Sequence, residues 1–168
     1  NAKSQWWAGD FHVLEGVDSS LAKKLISAGA EINVHAAAEQ GWLDWLETAY
    51  ADNPEIVNER GGDGKVPLHY ATDVKIIDWL LAHGADIDIR DEDHNSTPLQ
   101  WMIASKKPEV VKALVERGAQ VDIFAAIALN DRSRLEQILR DDPSAVRARV
   151  DEPGYAPVPT ADGLHQYA

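Results

Sequence analysis

Leu21-Ala22-Lys23-Lys24-Leu25-Ile26-Ser27-Ala28-Gly29-Ala30 sets two adjacent apolar residues one helical turn before two more, and a glycine follows three residues later. The same spacing returns twice. Ile76, Ile77, Leu80 and Leu81 precede Gly84-Ala85, and Val110, Val111, Leu114 and Val115 precede Gly118-Ala119. Apolar residues one turn apart line a single helix face, so each stretch reads as an amphipathic helix with one buried side. Asp18 and Asp73 stand where a carboxylate can cap a helix N-terminus, and Pro108 suits a first helical position, where its missing N–H costs nothing. Gly29, Gly84 and Gly118 suit the left-handed position that ends a helix. After each glycine a short apolar-polar stretch leaves in extended form: Glu31-Ile32-Asn33, Asp86-Ile87-Asp88 or Gln120-Val121-Asp122.

A second unit precedes two of these helices, as Asp63-Gly64-Lys65-Val66-Pro67-Leu68-His69-Tyr70-Ala71 and as Asp93-His94-Asn95-Ser96-Thr97-Pro98-Leu99-Gln100-Trp101. Pro67 and Pro98 set φ at a helix start, Thr97 can hydrogen-bond nearby backbone, and Leu68 and Leu99 point inward. Together with the Gly-Ala-Asp-Ile-Asp helix ending, these segments resemble the Thr-Pro-Leu-His opening of the ankyrin repeat, whose period is about 33 residues. Gly84 and Gly118 stand 34 residues apart, which agrees. The resemblance implies an all-α solenoid of about five stacked helix-turn-helix repeats with a few short β-hairpin fingers. Approximate repeats fall at 5–33, 34–62, 63–92, 93–120 and 121–150, making residues 1–150 one repeat domain with atypical end units. Residues 151–168 form a tail in which Pro153, Pro157 and Pro159 exclude a continuous helix.

The third repeat has Val66 where Thr is usual and is shortened after Ala71, which predicts a brief first helix. A longer echo links Glu31 to Ala37 with Gln120 to Ala126 at an offset of 89 residues. In both copies the chain passes directly into an Ala-rich helix with no room for a finger. Fingers are therefore expected before repeats three and four.

The balance of 28 acidic against 16 basic residues, a formal charge of −12, repels a phosphate backbone and excludes nucleic acid as the favoured partner. A basic protein surface suits that field better. With no cysteine, disulfides, thiolate metal sites and thiol catalysis are excluded. No apolar run approaches the roughly 20 residues that span a bilayer, so no membrane role is expected. The chain begins at Asn1 without a methionine and its compartment is left open. No Gly-x-Ser-x-Gly, phosphate-binding glycine loop or His-Glu-x-x-His is present, and Gly61-Gly62-Asp63-Gly64-Lys65 lacks both the spacing and the hydroxyl of a phosphate loop. The reading is non-catalytic, with no cofactor and no metal. The acidic run from Asp86 to His94 lacks the glycine and the closing bidentate Glu of a calcium loop.

What the resemblance implies about function is a monomeric module that binds a protein partner through its concave face and hairpin tips. It places Arg60, Lys65, Arg90, Glu92, His94 and Asn95 at or near tips, and Glu39, Gln40, Ser105 and Lys106 at exposed ends of first helices. Tyr70 and Trp101 share one motif position and are candidate aromatic anchors. His69, which matches the motif histidine, is expected to be structural with Pro67, Thr97, Pro98, Gly29, Gly84 and Gly118, and Gln100 stands in its place one repeat on. Of the six tryptophans, Trp45 and Trp79 are expected in the core, and Trp6 and Trp7 either cover one end or dock a partner. Rival readings are a regulatory or targeting module of a larger enzyme or complex, and a small-molecule or metal-binding protein.

Overall fold

The computed structural model of the chain describes residues 11–148, so Trp6, Trp7 and the proline-containing tail lie outside the described residues. The chain divides into two compact units, Asn1–Ile87 and Asp88–Ala168. The first holds α1 (Ser19–Ser27), α2 (Val34–Gln40), α3 (Leu43–Asp52) and α4 (Val74–Ala82). The second holds α5 (Pro98–Ala104), α6 (Pro108–Glu116), α7 (Ile123–Ala128) and α8 (Arg132–Asp141). Among the described residues no strand is formed and no helix is long and apolar enough to cross a membrane.

Local chemistry sets the helix ends. Asp18 accepts from the N–H groups of Ser20 and Leu21 at 2.8 and 3.0 Å, and Asp73 accepts from Lys75 at 2.8 Å. Asn33 and Asp122 do the same for α2 and α7, so four orphan helix starts are satisfied by side chains two or three residues away. Gly29, Gly84 and Gly118 have φ of 98°, 93° and 94°. Each permits the same closing bond: Ala30 N–H to Leu25 carbonyl, Ala85 to Leu80 and Ala119 to Leu114, all 3.0 Å. That six-residue loop is the Schellman arrangement, and it turns three helices out in one manner.

In the third repeat, Pro67–His69 makes a single 3₁₀ turn before Tyr70, so the helix that the missing residues after Ala71 would have built is absent. The two expected fingers are loops. Each is closed by one backbone bond, Gly61 N–H to Lys65 carbonyl at 2.8 Å and Asp91 N–H to Ser96 carbonyl at 3.1 Å, without a strand ladder. Before α2 and α7 the chain enters the helix directly.

Within the first unit Leu14, Ala22 and Ala36 form a buried cluster with Val17, Leu25, Ile26 and Trp42 around it. Leu46, Leu68, Ile76, Ile77 and Leu80 are buried beyond it. In the second, Leu99, Met102, Val110, Leu114, Ile123 and Ala126 play that part. Trp42, Trp45, Trp79 and Trp101 are each half-buried, so Trp45 and Trp79 are not the full core residues expected. Trp79 instead meets Tyr50 edge-on and lies tilted against His83, at centroid distances of 5.6 and 4.3 Å.

Helix α8 differs in having no buried residue; Leu135, Ile138 and Leu139 are half-covered. A fully buried leucine contributes roughly 2 kcal/mol by transfer from water. Lacking any, α8 is expected to open locally, and its amides to exchange with solvent at least tenfold faster than those of α6. Equal protection in hydrogen-exchange measurements would contradict this.

Candidate interaction surface

The loop from Arg60 to Lys65 folds back on its own unit. Arg60 donates from its guanidinium to the Gly64 carbonyl, and Asp63 and Gly64 take φ of 58° and 66°, which reverses the chain. Lys65, expected at an exposed tip, is consequently buried, with its ammonium 3.0 Å from Asp63 and 5.4 Å from the ring centroids of both Phe11 and Tyr70. This close packing requires glycine at 61 and 62. A Cβ on Gly61 would lie 2.6 Å from the His35 ring, and one on Gly62 would lie 2.6 Å from the Phe11 ring.

Tyr70 is drawn into the same cluster. Its hydroxyl lies 3.2 Å from Glu15 Oε2, and its ring meets His35 edge-on at 5.3 Å. Glu15 also accepts from Asn33 Nδ2 at 2.8 Å and His12 N–H at 3.2 Å. Burial first, then the Glu15 charge, pushes the Tyr70 hydroxyl far above its ordinary pKa. Tyr70 therefore ties the third repeat to the first segment of the unit and is not a free anchor.

His35 is 2% exposed and bonds through Nε2 to the Glu59 carbonyl at 2.9 Å. Burial pushes its pKa below the ordinary 6.5, against the opposing pull of that carbonyl and of Glu15. The unfolded chain thus takes up a proton near pH 6.5 that the folded imidazole resists. The stability contribution is complete above that value and is lost as pH falls below it toward the lowered folded pKa. Between pH 7.5 and 5.5, urea unfolding is expected to show a loss of about 1 kcal/mol that His35→Gln, still a donor to Glu59, reduces. Equal losses in both proteins would remove His35 as the source.

Glu39 and Gln40 are half-buried and engaged. Glu39 accepts from Gly16 N–H at 2.8 Å, and its carbonyl accepts the Thr72 hydroxyl at 2.8 Å. Gln40 donates to the Val17 carbonyl at 2.7 Å and accepts from Ser19 at 2.8 Å. Both residues hold neighbouring segments of the unit together.

The second loop, Arg90 to Ser96, presents side chains outward from a braced base. Asp91 is 3% exposed and accepts from Ser96 N–H at 2.6 Å and from His94 Nδ1 at 3.1 Å. His94 in turn stands edge-on to Trp101 at 5.1 Å. Arg90 donates to the Asn95 carbonyl, and Asn95 takes a left-handed φ of 51°. Glu92 is exposed and Arg90, Asp93, Asn95 and Trp101 are half-exposed, while the His94 side chain is only 6% exposed. Beside this loop lies a polar cleft of about 660 Å³. Arg90, Gln100, Asp122 and Arg134 line it, at the place where the direct entry into α7 leaves out a finger. Ser105 and Lys106 are exposed at the far end of α5, Lys106 with φ of 55°.

The motif positions at the two helix starts use different atoms for one task. His69 Nδ1 accepts the Val66 N–H at 3.1 Å. Gln100 Oε1 accepts the Thr97 N–H at 2.9 Å, the Thr97 hydroxyl accepts the Gln100 N–H at 3.3 Å, and Gln100 Nε2 reaches Asp122 at 3.0 Å. Val66 cannot return the hydroxyl half of that box, so the imidazole acts beside the backbone bonds from His69 N–H to the Val66 carbonyl and from Tyr70 N–H to the Pro67 carbonyl, at 2.9 and 3.0 Å.

A family profile for ankyrin repeats, in three copies, matches residues 11–125. The chain belongs to the ankyrin-repeat family. Among similar proteins, fem-1 homolog A of Danio rerio is 34% identical over 82 residues, covering 39% of this chain and 13% of its own length. Human transient receptor potential cation channel subfamily A member 1 is 35% identical over 79 residues, 45% of this chain and 7% of that protein. The chain therefore matches a small part of those relatives. A solved chain from the complex of the Bdellovibrio bacteriovorus predatory endopeptidase Bd0816 with immunity protein Bd3460 aligns at TM-score 0.54 and 23% identity. That alignment covers 70% of this chain and 67% of the other, and shows a shared fold.

Ankyrin repeats are protein–protein interaction modules, and such modules are non-catalytic. Sequence reading located both ankyrin loops but missed Glu15, His35, Asp63 and Phe11, which determine what the first loop presents. Only the glycine pair at 61 and 62 signalled close packing there, without indicating against what.

Proposed function

We propose that the chain binds a protein partner through the finger Arg90–Ser96 and the adjoining first-helix face of the second unit. The observation that supports this reading is the pre-organised finger. Its buried Asp91 and the His94–Trp101 contact hold the loop before any partner arrives, so less conformational entropy is lost on binding. Glu92 and Asp93 give the tip a negative field, and half-exposed Trp101 offers apolar ring area next to His94. A basic partner surface complements that arrangement and is steered to it at low salt.

Affinity capture from the source cell tests the proposal, comparing the intact chain with a Glu92→Lys, Asn95→Gly variant that keeps the left-handed backbone at 95. At equal thermal stability, a protein retained by the intact chain and lost from the variant is the expected result. Retention of the same proteins by both chains removes the finger as the binding element.

A further inference from the structure

Helices α5 and α6 and the C-terminal end of α7 border an open groove of about 630 Å³ on the second unit. Met102, Val111, Val115 and Leu129 line it with apolar surface, and Val115 remains 37% exposed. Lys106, Lys107 and Lys112 also line the groove and are exposed. Glu116 is the acidic lining residue, 3.9 Å from Lys112 in an exposed pair of little energetic weight.

Two properties narrow the occupant. The groove sits in a chain of formal charge −12, so three lysines around an apolar floor reverse the prevailing sign at that place. The floor residues Val111 and Val115 are one helical turn apart on α6, so they present a row of aliphatic side chains instead of an enclosed hole. A row of apolar anchors with acidic neighbours, as on one face of an amphipathic helix, matches both.

We propose that this groove docks an acidic amphipathic helix of a partner protein, its apolar side chains against Met102, Val111, Val115 and Leu129 and its carboxylates toward the three lysines. The proposal rests on the reading of the chain as a protein-binding module. It uses none of the residues that line the cleft beside the finger.

The test is selection of displayed helices on the full chain. The probe is a library with leucine fixed at i, i+3, i+4 and i+7 and with Glu or Lys at random at every polar position. Enriched helices are expected to be Glu-rich and to bind at least about tenfold more weakly to a Lys106→Glu, Lys107→Glu, Lys112→Glu chain. A second variant, Val115→Asp, is expected to weaken them as well. Both variants change exposed residues, and equal thermal melting shows that they fold. Enrichment of Lys-rich helices, equal binding to the variants or no enrichment overturns the proposal. Dodecanoate serves as a second probe. If it shifts the methyl resonances of Met102, Val111 and Val115 while no helix is enriched, the groove takes a small amphiphile and the proposal fails. Loss of capture by the finger variant alongside such a failure leaves the protein-binding reading intact, whereas selected acidic helices with unaffected finger capture discard the finger instead.

Discussion

Leu114→Ala is expected to lower the free energy of unfolding by about 3–4 kcal/mol, read from urea or guanidinium titration. Leu114 is 0% exposed on α6, and its carbonyl accepts the Ala119 N–H that closes the turn around Gly118. Truncation leaves a cavity in the buried interior of the second unit, which rigid helices do not refill, so a cavity cost adds to the lost transfer energy. Val115→Ala, one residue along and 37% exposed, is the control and is expected to cost under about 1 kcal/mol. Similar costs for the two would mean that α6 does not carry the core of its unit.

Gln100→Ala is expected to cost about 2–3 kcal/mol, because one amide serves a buried site and a half-buried one. Its oxygen takes the Thr97 N–H and its nitrogen reaches Asp122, so removal orphans a backbone donor and withdraws a charged hydrogen bond. The preceding repeat supplies the comparison: His69 accepts the Val66 N–H through Nδ1 at the same motif position. Gln100→His is therefore expected to recover at least half of the loss, with Nδ1 on Thr97 and Nε2 toward Asp122. If histidine and alanine are equally damaging, the two motif positions do not share one structural task.

These expectations rest on elements of unequal legibility. The Gly29, Gly84 and Gly118 endings, the Asp18 and Asp73 caps and the Thr97 start were readable, since each joins atoms within a few residues of one another. The fate of the candidate binding residues was readable only in part. Arg60, Glu92, Ser105 and Lys106 stand exposed. Lys65 turns inward because glycine at 61 and 62 admits the His35 and Phe11 rings, and nothing in the loop's own sequence identifies those rings. Arg60 and Arg90, similar in sequence placement, both brace their own loops, yet only the second loop keeps its neighbours at the surface.

By itself the sequence determined the helices, their ends and the family, because those depend on spacing along one or two turns, whereas Leu21 and Val115, read as inward-facing, stand 43% and 37% exposed. The tertiary structure decided which polar side chains remain available to a partner. Tyr70 is claimed by Glu15 across 55 residues, Gln40 by Val17 across 23 and Gln100 by Asp122 across 22. Pairings at that separation follow from how helices stack, and a hydrogen bond formed there removes a donor or acceptor that local sequence would count as free.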